Sequence, residues 1–172
     1  MTLYYTKAGD KGETGFFGGR LKKSDQRFSA IGDVDETNAA LGVALAHCDD
    51  GQVRQAILKA QNLLFTVGAE LAGTAKVHVT AEHVTELEKT IDRFAELIKP
   101  QTTFLLPNGT KAASFLHLAR AVCRRAERSA VVLNEKTPLN PELLRYLNRM
   151  SSLLHVLARY ENRKITESAP TY

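Results

Sequence analysis

The stretch that most constrains the fold runs from Asn140 to Leu157. Leu143, Leu147, Met150, Leu154 and Leu157 recur at spacings of four, three, four and three. That is the rhythm of a helix burying a narrow stripe against other helices. Asn140 followed by Pro141 provides its start, an N-cap acceptor and then a residue already set to the helical φ. Beside the stripe lies a polar row of Asn148, Ser152, His155 and Arg159. This helix therefore needs helical neighbours on one side and something polar along its edge.

Four other segments have helical character. The first spans about 24–48, with Ser24 as N-cap, Asp25 in the first turn, and Phe28, Ile31, Val34, Ala39, Leu41, Val43 and Leu45 as its apolar set. The second spans about 51–71, with Ile57, Leu58, Leu64, Phe65, Val67 and Leu71. The third starts at Thr80 and carries Val84, Leu87, Ile91, Phe94, Leu97 and Ile98 before Lys99-Pro100. The fourth, about 111–134, is capped by Thr110 and buries Phe115, Leu118, Ala119, Val122 and Ala126. Val77 and Val79 form at most a short extended piece. These lengths and short connections predict an all-α, antiparallel five-helix bundle in one domain over residues 1–172. Residues 24–163 form the bundle and 164–172 a flexible tail.

The fourth helix poses an electrostatic problem. Arg120, Arg124 and Arg128 fall in one row, with Arg125 and Glu127 beside them, and like charges at that spacing repel. The row calls for an anionic ligand or carboxylates from elsewhere, and a guanidinium fork suits both phosphate and carboxylate. Asp33, Asp35 and Glu36 crowd the first helix and are either solvated or paired with cations. His117 reads as a polar helix residue. Phe104-Leu105-Leu106-Pro107 is apolar for a loop; it is either tucked into the core, the default, or lines a pocket. Residues 1–23 read as a loop, with Gly9, Gly12, Gly15, Gly18 and Gly19 set among Lys7, Lys11, Thr14, Arg20, Lys22 and Lys23. It is a mobile tail or a phosphate cradle of backbone N–H groups and lysines, and it has neither the P-loop nor the dinucleotide order.

Composition removes other classes. The net charge of +4, with no Trp and no basic run interleaved with aromatics, gives nucleic acid no platform. No run of about 18 apolar residues suits a membrane, and no leader precedes the first loop. Cys48 and Cys123 lack metal-ligand spacing and read as buried free thiols, which suits a reducing cytoplasm.

Taken together, Tyr5-Thr6-Lys7-Ala8-Gly9-Asp10-Lys11-Gly12-Glu13-Thr14, Lys22-Lys23-Ser24-Asp25, Gly32-Asp33-Val34-Asp35-Glu36, Phe104-Leu-Leu-Pro107, Arg124-Arg-Ala-Glu-Arg128 and Tyr146-Leu-Asn-Arg-Met-Ser151 resemble the PduO-type ATP:cob(I)alamin (corrinoid) adenosyltransferases. The resemblance implies a ferritin-like five-helix bundle that assembles as a homotrimer with active sites between subunits. It implies transfer of the 5′-deoxyadenosyl group of ATP to the cobalt(I) of a reduced corrinoid, with Mg2+ on the ATP phosphates and triphosphate as product. Thr6, Lys7, Ala8, Gly9, Thr14, Gly15 and Lys23 would hold ATP from one subunit. Arg124, Arg125, Ala126, Glu127, Arg128 and Asn148 would contribute from its neighbour. Asp35 would pair with Arg120 across the interface, and Phe104 would pack on the corrin and help remove the lower axial ligand. A reductase and an adenosylcobalamin-dependent enzyme are the implied partners. Departures from the family pattern fall at Ala8, Asn108 and Ser152. The alternative is a noncatalytic trimeric ATP- or corrinoid-binding carrier.

Overall fold

A computed structural model describes residues 4–74 and 76–171. Among them are five α-helices, α1 (Gln26–Ala46), α2 (Gly51–Leu71), α3 (Ala81–Ala95), α4 (Lys111–Lys136) and α5 (Pro141–Glu161), and one antiparallel hairpin, β1 (Glu13–Phe16) with β2 (Gly19–Lys22). α1 packs most extensively on α4, α4 on α5, and α5 on α3, while α2 lies along the other side of α1.

Each helix start has a local chemical cause. Asp50 accepts hydrogen bonds from the backbone N–H groups of Gln52 (2.9 Å) and Val53 (3.3 Å). Thr110 accepts from Ala113 N–H at 3.1 Å and Asn140 from Glu142 N–H at 3.0 Å. At Thr80 the backbone N–H donates to His83 Nδ1 at 3.0 Å. These contacts satisfy donors that the first helical turn leaves free. For α1 the cap is Asp25, which accepts from Arg27 N–H at 2.9 Å, and Ser24 lies one residue outside.

The core is a set of stripes in one rhythm. Ala30, Val34, Thr37, Leu41, Ala44 and Cys48 are buried in and just after α1. Val53, Ile57, Ala60, Leu64, Val67 and Leu71 are buried in α2. Ala112, Leu116, Ala119, Cys123, Ala126, Ala130 and Leu133 are buried in α4, and the five expected residues in α5. All repeat at alternating four and three. The α1 and α4 stripes are rich in alanine, which lets two helices approach closely, and the leucines of α5 fill the space beside them. The Thr37 hydroxyl, inside this stripe, donates to Asp33 O at 2.8 Å.

Several expected core residues are exposed instead: Val43, Leu58, Phe65, Leu97 and Leu118. Leu97 lies in the turn beyond the end of α3; the others fall off the four-three phase of their helices, and Leu116 takes the inward position expected for Leu118. The two cysteines are buried and unpaired, and burial pushes both thiols up to about 12.

The segment before α1, expected as an irregular loop, contains the hairpin. Its Phe17 N–H donates to Ala72 O at 3.0 Å, and the Arg27 guanidinium lies 5.5 Å from the centre of the Phe16 ring. Val77 and Val79 form no strand; Val79 N–H donates to Glu70 at 2.9 Å. Residues 164–171, expected as a flexible tail, have no regular secondary structure but are docked. Glu167 pairs with Arg159 at 3.1 Å, and Ser168 O accepts from Leu106 N–H at 2.8 Å.

The turn entering α4 is clamped by buried Asn162. Its amide accepts from Thr110 N–H at 3.0 Å and donates to Asn108 O at 2.8 Å. Gly109, between them, has φ +123°, and a Cβ there would overlap the Asn162 side chain. Gly109→Ala is therefore expected to destabilise the fold by at least about 2 kcal/mol. The loss should appear in helical circular dichroism as a Tm lowered by roughly 5 °C; an unchanged Tm would show that the turn relaxes freely.

Candidate functional site

The chemistry-bearing residues occupy three neighbourhoods. The first is the N-terminal segment. Thr6 Oγ1 accepts from Ala8 N–H at 3.3 Å, and Arg20 donates to Ala8 O at 2.7 Å. Lys23 N–H donates to Gly12 O at 2.8 Å. The Lys23 ammonium lies so close to Gly9 that a Cβ at residue 9 would sit 3.0 Å from Nζ. Lys7 adopts φ +58°, a left-handed conformation that costs a side-chain-bearing residue about 1 kcal/mol or more. Thr14 and Gly15 lie on β1. Hydroxyls and cations are thus gathered on one exposed segment, the composition of an anion cradle.

The second neighbourhood is the arginine row on α4. Arg125 is engaged inside the chain: it pairs with Asp33 at 2.9 Å and also with Glu36. Ser129 donates to the other Asp33 oxygen. This settles most of the acidic cluster of α1 by pairing, and it raises the Arg125 pKa through those two carboxylates. Arg124 and Arg128 are exposed and, among the described residues, carry no ion pair. Ala126, between them in sequence, is in the core stripe. Asn148 of α5 is held from both sides: it donates to Glu127 at 2.8 Å and accepts from Arg149 at 2.7 Å. Arg149 is in turn held by Glu88 at 2.8 Å. Two free guanidinium groups therefore stand beside an amide of fixed orientation.

The third neighbourhood joins the polar edges of α4 and α5. His117 is only 6% exposed, and its ring centre lies 6.1 Å from that of His155. Burial, then Arg120 and His155, lowers the His117 pKa to about 4, while Glu167 acts weakly in the opposite direction. Burial, with Arg120 and Arg159, also lowers that of His155. His117 Nδ1 and Arg120 Nε are buried without a hydrogen-bond partner. Arg159 is buried and paired with Glu167, and it donates to Lys99 O at 2.9 Å. His117 is thus a core group at the end of the seam, against the expectation of a merely polar helix residue. Sequence reasoning passed over Glu167, Gln101 and Asn162; the only signal was the polar row ending at Arg159, which had to meet something.

Phe104 stands next to this cluster. It is 76% exposed, and Leu106 is also exposed, so the expected default of a tucked-in loop fails. The loop is held by polar groups, which leaves its apolar side chains outside. Asp35 is exposed and makes no hydrogen bond or ion pair with Arg120 within the chain. It lines a shallow cavity of about 410 Å3 with Asn38, Gly42, Leu58, Gln61 and Phe65. Among the described residues no hydrogen bond or ion pair joins the 4–23 segment to the arginine row. A single chain brings together the row, Glu127 and Asn148; it leaves the N-terminal cradle and Asp35 without contacts to them.

Comparison with known proteins places this geometry. The profile of the family described as cobalamin adenosyltransferase matches residues 4–161. A corrinoid adenosyltransferase of Bacillus subtilis is 39% identical over 168 residues, covering 93% of this chain and 86% of that protein. A corrinoid adenosyltransferase of Homo sapiens is also 39% identical, over 172 residues that cover 93% of this chain and 69% of that one. The solved structure of a variant PduO-type ATP:corrinoid adenosyltransferase from Lactobacillus reuteri, complexed with cobalamin and ATP, superposes with a TM-score of 0.89 at 32% identity. The match covers 98% of this chain and 99% of that one.

The buried histidine makes stability depend on pH. An unfolded chain protonates His117 near its ordinary value of 6.5, whereas the folded chain resists until about 4. Between those values the unfolded state binds more protons, so the stability present above pH 6.5 is lost as pH falls toward 4. The loss is at most about 3 kcal/mol. Urea unfolding at stepped pH should show it, and His117→Asn should flatten that part of the profile. An unchanged slope would assign the pH dependence to other groups.

Proposed function

Because the chain belongs to the cobalamin adenosyltransferase family, we propose that it transfers the 5′-deoxyadenosyl group of ATP to the cobalt of a reduced corrinoid and releases triphosphate. The observation that carries this reading is the pair of unpaired arginines, Arg124 and Arg128, beside an Asn148 locked by Glu127 and Arg149. A leaving triphosphate gathers negative charge, and cations already in place stabilise it without reorganising. Cobalt(I) is the nucleophile and supplies both electrons of the new cobalt–carbon bond. The C5′–O5′ bond breaks, and its electrons leave with the triphosphate. No protein base is required, and His117, buried and with its pKa lowered to about 4, does not serve as one.

The protein's task is positioning. Thr6, Lys7, Ala8, Gly9, Thr14, Gly15 and Lys23 cradle the nucleotide, and Arg124 and Arg128 hold its phosphate end, with Asn148 oriented beside them by Glu127. Arg125 acts through Asp33 and Glu36 by fixing α1 against α4. Among the described residues no group of three His, Cys, Asp or Glu is arranged to hold a metal ion. Magnesium therefore suits this site as a cation carried on the phosphates, which supply its oxygen ligands while it neutralises their charge. Phe104 presents an apolar face that excludes an axial ligand from cobalt.

We place the N-terminal cradle opposite the arginine row of a second copy, in a homotrimer. Three features support this: among the described residues no hydrogen bond or ion pair joins the cradle to its own row, the exposed Asp35 has no partner, and the α1–α2 face exposes Leu58 and Phe65. Pairing with the guanidinium of a neighbour's Arg120 would give the exposed Asp35 its missing cation. The buried free thiols suit a reducing cytoplasm, where a reductase and an adenosylcobalamin-dependent enzyme are the expected partners.

Reduced cobalamin, ATP and magnesium should give a light-sensitive adenosylated product with one triphosphate each. Binding of ATP and corrinoid with no product would instead identify a carrier. Arg124→Ala is expected to lower single-turnover transfer by roughly 100-fold with helical content unchanged; a wild-type rate at saturating ATP would remove it from the phosphate site. Phe104→Ala should slow transfer with ATP affinity preserved, and a normal rate would take Phe104 off the cobalt face.

A further inference from the structure

Residues 99–110 form a loop without regular secondary structure, yet it is pinned at four points. All four pins come from α5 or the segment after it. Arg159 donates to Lys99 O at 2.9 Å, and the His155 ring meets the Gln101 side chain at 2.9 Å. Ser168 O accepts from Leu106 N–H at 2.8 Å, and Asn162 clamps Asn108 and Thr110. Among the described residues no backbone–backbone hydrogen bond fixes residues 102–105, and the Gln101 side chain donates to Thr103 O at 2.8 Å, so Phe104 stands between that contact and the pin at Leu106.

The pin at Leu106 depends on where residues 165–168 lie. That segment is tied to the bundle by Glu167, whose carboxylate receives both Nε (3.2 Å) and Nη2 (3.1 Å) of Arg159. Arg159 is 9% exposed, so the pair is shielded from solvent, and removing one partner costs more than breaking a surface ion pair. One guanidinium thus holds the start of the loop through Lys99 O and, through Glu167 and Ser168, its far side.

We propose that Glu167 is a positioning residue: with Arg159 it straps the C-terminal segment across the bundle end and so sets where the 99–110 loop presents Phe104 to the corrin. This rests on the reading of Phe104 given above, and the test separates the two. In the free protein, Glu167→Ala should speed amide hydrogen exchange at Leu106, whose N–H is held by Ser168 O, and at Asn108, while the helices stay protected. In the reaction it should lower kcat with reduced cobalamin by roughly ten-fold or more, leave the KM for ATP unchanged, and reduce the fraction of ATP-bound cob(II)alamin whose absorbance reports loss of the lower ligand. Combined with Phe104→Ala it should add no further loss, because both act at one side chain. Glu167→Gln keeps an acceptor for Arg159, so it should show the same changes to a smaller extent, and it is the variant to read if Glu167→Ala does not fold. Unchanged exchange at Leu106 and Asn108, or losses that multiply in the double variant, would overturn the proposal. If the wild-type protein transferred no adenosyl group, the functional reading would fall, and amide exchange alone would decide whether the strap holds the loop.

Discussion

The close contact between α1 and α4 is the constraint on which the rest depends. Alanine at positions 112, 119, 126 and 130 faces alanine at 30 and 44, with Thr37 between. Small side chains bury little area each, at about 25 cal/mol per Å2. Their value here is geometric, since they fix the separation and register of two long helices. With that register set, Arg125 reaches Asp33 and Glu36, and Ser129 reaches Asp33. On the opposite edge of α4 the same register delivers Glu127 to Asn148 and His117 to His155. One alanine-lined stripe therefore sorts the charges of α4 onto two neighbours.

That sorting explains how a helix tolerates four arginines within nine positions. Arg125 is neutralised by α1, and Arg120 is half-buried with one nitrogen unsatisfied. Only Arg124 and Arg128 are left to solvent. The repulsion they retain is modest when exposed and screened, and it becomes favourable once a polyanion lies between them. Neutralising all four within the bundle would have made a more stable isolated helix and a poor phosphate site.

The five helices and most of their caps were legible because periodicity and capping chemistry are local. The α5 stripe was readable outright, since it is built of large apolar residues. The α1 and α4 stripes were readable only in part, at Val34, Leu41, Ala119 and Ala126, because alanines, a threonine and a cysteine carry the rest, and a reading that ranks large side chains first also turned to Val43 and Leu118. The arginine row asked for carboxylates, and the structure answers for Arg125 with residues about ninety positions away, a pairing that no local rule finds. The hairpin, the Asn162 clamp and the docking of residues 164–171 also depend on partners distant in sequence. Recognition of the site motifs did not need these contacts; understanding how Phe104 is held does.

The polar compartment at the end of the α4–α5 seam shows why that last point matters. His117 Nδ1 and Arg120 Nε are each buried without a partner, a defect that costs on the order of 1–3 kcal/mol per group. A leucine at 117 would extend the stripe and remove one such cost. Of the four such groups among the described residues, these two sit near the buried Arg159–Glu167 pair that anchors the Phe104 loop; the others are Asn38 Oδ1 and Glu161 Oε1. A chain whose remaining seam is continuous over five helices can carry such local costs. The unsatisfied His117 and Arg120 groups, the strap and the exposed phenylalanine thus describe one end of the bundle whose side chains are arranged to meet another molecule, while the alanine seam keeps the two helices beneath them from shifting.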